Sequence, residues 1–153
     1  MGAFSLKSTQ VLPISLNEAW DFFSRPQNLQ SITPAYLGFK ITSELADQMY
    51  AGQVITYKVK PLLRIPMFWM TEITHVEEAK YFVDEQRFGP YALWHHQHHF
   101  KEVQGGVEML DIIHYKLPFG PLGSLVNFLF VRKQLKGIFD YRFRYLEDHF
   151  GRA

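Results

Sequence analysis

The chain of 153 residues contains no cysteine. This rules out a disulfide framework, a thiolate metal centre and a cysteine nucleophile. Long apolar runs are also missing. Stretches such as IPMFWM at 65–70 fall far short of the roughly 20 residues that cross a bilayer as a helix. Charge of one sign is lacking too: the formal net charge is +1. The densest basic stretch, RKQLK at 132–136, lies inside a helical pattern and reads as a solvated face, so no nucleic-acid partner is expected. The opening MGAFSLKSTQ has no apolar signal-peptide core, and Leu6 stands where a myristoylation pattern after Gly2 needs Ser or Thr. Repeats, low-complexity segments and linkers are absent, as are a G-x-S-x-G elbow and a phosphate loop. The expectation is a single domain over 1–153, cytoplasmic, inserted in no membrane, with no cofactor.

Aromatic side chains are abundant, at 16% of residues, with 14 Phe, 8 Tyr and 3 Trp. Such residues fill cores, and they also line apolar ligand cavities.

Hydrophobic periodicity predicts the element order. AFSLKSTQVL at 3–12 reads as a strand closed by Pro13. Ser15 and Glu18 form a capping box ahead of Leu16, Ala19, Trp20 and Phe23 at helical spacing. Pro26 ends that helix and opens a second short one that buries Leu29 and Ile32. Strand-like stretches follow at 38–43, 53–60, 67–76, 81–88, 91–103 and 107–118, the last two joined by a Gly105-Gly106 turn. Phe128, Val131, Leu135, Phe139, Phe143, Leu146 and Phe150 then mark one face of a helix over about 121–150, which would be about 45 Å long. One strand, two short helices, six strands and a long helix predict an α+β fold, a seven-stranded curved antiparallel sheet wrapped around the C-terminal helix. The gap between sheet and helix is a natural cavity.

GPYALWHHQHHF at 89–100 places four histidines beside a tryptophan. Alternation puts Ala92, Trp94, His96, His98 and Phe100 on one face, taken as inner because it carries Trp and Phe; His95 and His99 then face water. With Gly105-Gly106 as the turn, His96 faces Tyr115, His98 faces Ile113 and Phe100 faces Asp111, so Met109, Asp111, Ile113 and Tyr115 also point inward. A three-residue turn at 89–91 sets Asp84 opposite His96 and Gln86 opposite Trp94; a two-residue turn would send both outside. Trp69, Thr71 and Ile73 share another inward face. The interior becomes aromatic walls around a small polar cluster.

These residues carry a resemblance. NLQSITP at 28–34, Trp69, FVDEQRFGPYALWHHQHHF at 82–100, Asp111 with Tyr115 and Pro118, and IFDYR at 138–142 resemble the helix-grip superfamily known as SRPBCC. It holds START lipid-binding domains, pollen-allergen-like proteins and polyketide cyclases, and the match is nearest to its small bacterial ligand-binding group. The most specific part is W-x-H-x-H-x-F on Trp94, His96, His98 and Phe100. The resemblance implies a cavity for a hydrophobic small molecule between sheet and C-terminal helix, and it implies no particular reaction.

Four readings of His96 and His98 follow. As pocket lining, their ring nitrogens fix the polar end of a ligand whose apolar body lies on aromatic walls. As structural groups, they are bonded within a filled core. As metal ligands, they would need a partner such as Glu102 in a cupin-like H-x-H-x₃-E, but a second cupin motif is missing and the helices do not suit a jelly roll. As catalysts, His96 or His98 beside Asp84 or Asp111 would be a general base, with Tyr115 as acid or oxyanion donor. Arg142 is either exposed along its stem or reaches Asp84 or a ligand carboxylate. LPFGPLGSL at 117–125 is either an ordinary connection or a gate. A scaffold reading would instead use outward aromatics such as Tyr91 and Phe130 as a partner patch.

The reading adopted is binding of a hydrophobic small molecule with a polar end, by a monomer or homodimer. Its site is Trp69, Asp84, Gln86, Trp94, His96, His98, Phe100, Asp111, Tyr115, Phe139 and Arg142. The alternative is a cofactor-independent cyclase or dehydratase acting on a polyketide-like or other apolar substrate through His96, His98, Asp111 and Tyr115. No metal is assigned.

Overall fold

The computed structural model describes residues 3–62 and 64–153; Gly2, and with it the myristoylation pattern, lies outside them. Strand β1 (Phe4–Leu12) leads to helix α1 (Leu16–Phe23), and the Ser15 hydroxyl accepts a hydrogen bond from the Glu18 amide at 3.2 Å. This capping satisfies one of the free amides at the helix start. α1 buries Ala19, Trp20 and Phe23. Pro26 opens a single 3-10 turn (Pro26–Leu29), and a second 3-10 turn spans Ala35–Leu37. Strands β2 (Lys40–Ile41), β3 (Val54–Leu62), β4 (Ile65–Glu77), β5 (Tyr81–Phe88), β6 (Leu93–Val103) and β7 (Gly106–Lys116) follow. All pairings are antiparallel in the order β1-β7-β6-β5-β4-β3-β2. β4 carries irregularities near Met70 and Thr74, which add the bend a sheet needs to curl.

The chain is then helical from Gly120 to Phe150 in three consecutive pieces: α2 (Gly120–Val126), a π turn (Asn127–Val131) and α3 (Arg132–Phe150). The helix lies in the concave face of the sheet, and Gln10 of β1 donates to the Phe143 carbonyl at 2.9 Å. Buried residues gather in three clusters. One joins α1, β5, β6, β7 and Leu146; one holds Leu37, Ile55, Tyr57, Val59, Trp69 and Ile73; one holds Ile113, Tyr115 and Leu135. The seven-stranded curved sheet, the short helices after β1 and the long C-terminal helix are those predicted.

Two expectations are corrected. The β6–β7 turn is Gln104-Gly105, with Val103 paired to Gly106, so the register differs by two residues. His96 faces Ile113, His98 faces Asp111 and Phe100 faces Met109. A shift of two preserves the faces, which is why Trp94, His96, His98 and Phe100 keep the inward side; Ala92, expected with them, precedes β6 and is exposed. Gly106 is needed for another reason: a Cβ there would sit 1.9 Å from the Leu12 carbonyl oxygen, because the end of β1 lies directly on it.

The helix face is the second correction. Phe128 is 75% exposed and Phe143 38%, whereas Asn127 and Arg142 are buried. In a regular helix Phe128 would align with Leu135, and Asn127 would stand about 80° away. The π turn takes up one extra residue and swings Asn127 into line instead. Below it, Arg142 lies closer to the Leu135–Leu146 line than Phe143 does, so the guanidinium takes the inner place.

Gly106→Ala is therefore expected to lower stability well beyond the roughly 1–2 kcal/mol of backbone strain expected for Gly105→Ala. Gly105 also has positive φ, but open space where a Cβ would go. Urea midpoints of the two variants check the difference.

Candidate functional site

Between sheet and helix lies a cavity of about 210 Å³ whose wall touches all three buried clusters. Most of the wall is apolar: Phe23, Ile55, Val59, Phe82, Ile138 and Phe139 all contribute. Trp69, Trp94 and Tyr91 pack together on one side, with ring centroids 4.9–5.5 Å apart. Next to them the Thr71 hydroxyl is taken up by the Trp69 indole N–H at 3.0 Å and the Tyr57 hydroxyl at 3.1 Å.

One end of the cavity is ionic. Asp84 of β5, His96 and His98 of β6 and Arg142 of α3 all line it, and Asp111 of β7 lies behind them. Alternation delivers this set: β5 and β6 place Asp84 opposite His96, and β6 and β7 place His98 opposite Asp111. The imidazoles of His96 and His98 stack with centroids 3.7 Å apart. His96 Nε2 lies 2.9 Å from Asp111 Oδ1, and His98 Nε2 lies 2.8 Å from Asp84 Oδ2. His96 Nδ1 is 3.6 Å from Asp84 Oδ2. His98 Nδ1 approaches Asp111 Oδ1 to 2.9 Å, but out of line, so this contact is an ion pair rather than a well-directed hydrogen bond. Arg142 Nη1 donates to Asp111 Oδ1 at 3.2 Å, and the guanidinium carbon is 5.3 Å from the Phe23 ring centre and 5.8 Å from that of Phe139.

The electrostatics follow from burial and pairing. Burial alone would raise the Asp111 pKa, but the Arg142 charge and the hydrogen bonds of His96 and His98 hold it well below the ordinary carboxylate range. Asp84 is likewise lowered: burial opposes ionisation, and the bond to His98 with the nearby His96 outweighs it. His96 is pushed down by burial and by His98. Burial works against charge on His98 as well, but its bonds to Asp111 and Asp84 prevail and raise it. Two carboxylates thus face one guanidinium and two imidazoles, so the buried charges have partners, as a low-dielectric site requires.

Of the residues predicted for the site, Trp69, Asp84, Trp94, His96, His98, Phe139 and Arg142 line the cavity. Four do not. Gln86 closes the β5–β6 loop, donating to the Tyr91 carbonyl at 2.7 Å and accepting from its amide at 3.1 Å. Phe100 packs against Trp20, Phe23 and Phe82 in the neighbouring core. Tyr115 donates to Asn127 Oδ1 at 2.8 Å. Asp111 sits in a second layer behind the imidazoles. Arg142 reaches Asp111 rather than Asp84. Glu102 is exposed, and the acidic neighbours of the histidines are Asp84 and Asp111. None of residues 117–125 is among the lining residues, so the gate reading of that segment finds no support. Tyr91, taken as an outward aromatic, packs inward on Trp94 and Tyr115. Tyr57, Phe82 and Ile138 also line the cavity and escape the sequence reading, although inward alternation of their strands signals the first two; Thr71, expected on the inner face but not in the site, lines it as well.

No family model and no curated protein matches the sequence. Solved structures do match. Protein TTHA0849 from Thermus thermophilus aligns over 95% of this chain and 95% of its own, at 14% identity and a TM-score of 0.69. Ginseng major latex-like protein 151 from Panax ginseng aligns over 98% and 99%, at 13% identity and a TM-score of 0.68. Protein Ms6760 from Mycobacterium smegmatis aligns over 95% and 92%, at 15% identity and a TM-score of 0.67. The chain shares the fold of these structures, a helix-grip arrangement in which a curved seven-stranded sheet wraps a long C-terminal helix. In helix-grip terms, the ionic cluster bridges the sheet and the helix it holds. Among the described residues no helix is long and apolar enough to cross a membrane.

Arg142→Met is expected to cost about 3–5 kcal/mol by leaving Asp111 buried without its cation. Adding Asp111→Asn should recover part of that loss, as chemical denaturation of the single and double variants would show. Because the folded-state pKa values of Asp84 and Asp111 are depressed, their contribution is present above the unfolded carboxyl value. It is lost as pH falls below about 4 through the folded pKa values. The wild type should therefore lose more stability between neutral and acid pH than Asp111→Asn does.

Proposed function

We propose that this protein binds a small apolar molecule carrying one polar end, held in the cavity between sheet and helix. The observation that carries this reading is the polarity of the cavity itself. Aromatic and aliphatic side chains form most of its wall, and Asp84, His96, His98 and Arg142 gather in one cluster, with Arg25, paired to Asp21, the charged side chain elsewhere on the wall. Such a container binds by burying an apolar body and orients it through a few fixed polar groups. The volume of about 210 Å³ bounds the guest. An engineered apolar cavity of about 150 Å³ admits benzene, so a single substituted ring is the natural size, and a long lipid chain is not. A neutral His96 that donates to Asp111 has its other ring nitrogen left to accept from a hydroxyl, and Arg142 adds a positive field for an anionic end.

The cyclase or dehydratase alternative loses part of its machinery. The Tyr115 hydroxyl is engaged with Asn127 and set apart from the cavity, so it supplies neither an acid nor an oxyanion donor. A base at His96, oriented by Asp111, is the part that remains.

Titration with an apolar fluorescent dye, with chelator present, tests the proposal. One dye per chain is expected, quenching emission from Trp69 and Trp94, which line the cavity. Ile138→Trp fills the space from the helix side and should reduce dye affinity at least tenfold, about 1.4 kcal/mol, while the fold is retained by circular dichroism. Trp94→Ala should weaken binding as well. Unchanged dye affinity in a folded Ile138→Trp protein would sink the pocket assignment.

A further inference from the structure

We propose that Asp84, His96 and His98 form a three-ligand site for a zinc-class divalent cation, with its remaining coordination position open to the cavity. Three donor atoms, one from each residue, lie within 4.8 Å of one another. Asp84 Oδ2 is 2.8 Å from His98 Nε2 and 3.6 Å from His96 Nδ1. A tetrahedral ion with bonds of about 2.0–2.1 Å spaces its ligands roughly 3.3 Å apart; the two separations from Asp84 bracket that value, and the third lies within 4.8 Å. Two imidazoles and one carboxylate with an open position are a donor set that suits zinc and similar first-row ions.

The surroundings strengthen the assignment. The ring nitrogens turned away from Asp84, His96 Nε2 and His98 Nδ1, both lie 2.9 Å from one oxygen, Asp111 Oδ1. An imidazole that binds a metal through one nitrogen characteristically gives its other N–H to a carboxylate, which fixes tautomer and ring orientation. Asp111 stands in that position for His96, lies beside His98 Nδ1 without an aligned hydrogen bond, and is held in turn by Arg142. The nitrogens on the Asp84 side, His96 Nδ1 and His98 Nε2, are the ones left to face the cation. The would-be ligands all line the cavity, whereas Asp111 lies behind them.

The cation also changes what the cavity can hold. Two carboxylates, one guanidinium and a dication leave one uncompensated positive charge next to apolar walls. The open position is then completed by an anionic oxygen, such as a carboxylate, a phenolate or an enolate on a small ring. The site itself does not depend on the ligand-binding reading, because metal uptake is measured with no organic ligand present.

The test uses the full chain, freed of metal by a chelator and titrated with Co²⁺ alone. The expected result is one ion per chain, visible d–d absorption of low symmetry, and displacement by one equivalent of Zn²⁺. Asp84→Asn and His98→Gln should each weaken uptake by about 10–100-fold or more. The double variant His95→Ala/His114→Ala should not, although that surface pair, with ring centroids 6.2 Å apart, is the obvious competitor. Should a cluster variant fail to fold, NMR of the wild type decides. Paramagnetic effects of Co²⁺ centred on His96 and His98 support the site. Effects centred on His95 and His114, or a Kd weaker than about 100 μM, overturn it. Dye binding in chelator that persists while Co²⁺ uptake fails would remove the metal site and leave the pocket standing.

Discussion

The buried pairing of Asp111 with Arg142 is the contact on which the rest of this molecule leans. Five groups from four elements meet there: Asp84 of β5, His96 and His98 of β6, Asp111 of β7 and Arg142 of α3. Each would be costly in an apolar interior if left alone. Together they cancel charge and occupy one another's polar atoms. The pairing is also a charged link between the sheet and the helix lying across it, joined by the Gln10–Phe143 and Tyr115–Asn127 hydrogen bonds, and together they fix the helix at a defined depth. A helix held by greasy contacts alone could settle inward and fill the gap. One held by a guanidinium clamped between Phe23 and Phe139 keeps its distance.

That spacing gives the cavity its two characters. The walls away from the cluster come from α1, the short turns after it, α3 and strands whose inward positions are aromatic or β-branched; polar atoms on those strands are used internally, as in the Trp69–Thr71–Tyr57 chain. The wall at the cluster keeps its ring edges available. Binding chemistry is therefore concentrated at one pole, and the remaining surface selects by size and apolarity.

Much of this was legible in the sequence. Period-two alternation on β6 placed Trp94, His96, His98 and Phe100 inside, and their burial agrees for His96, His98 and Phe100, with Trp94 half-buried. The pairing of Asp84 with His96 also followed from the turn length at 89–91. What escaped was governed by contacts distant in sequence. Gly106 looked like half of a hairpin turn, but it is small because the end of β1 lies on it. Gln86 and Tyr115 shared the inward face, but partners supplied by the 89–92 loop and the π turn drew them away from the cavity. Arg142 looked like an edge residue because hydrophobic spacing favours Phe143 over a guanidinium; only the buried carboxylate across the gap makes the arginine the better occupant.

The single widened turn at Asn127–Val131 has a wider effect on the molecule. It acts as a phase adjuster between two stretches of one rod, letting the lower stretch serve the cluster while the upper stretch serves Tyr115. The same offset rolls Phe128, Leu129 and Phe130 outward, where 50–75% of their surface meets solvent, beside the exposed Phe119, Leu122 and Leu125. A greasy shoulder on the outside of the protein is thus the geometric by-product of keeping two interior appointments along one helix.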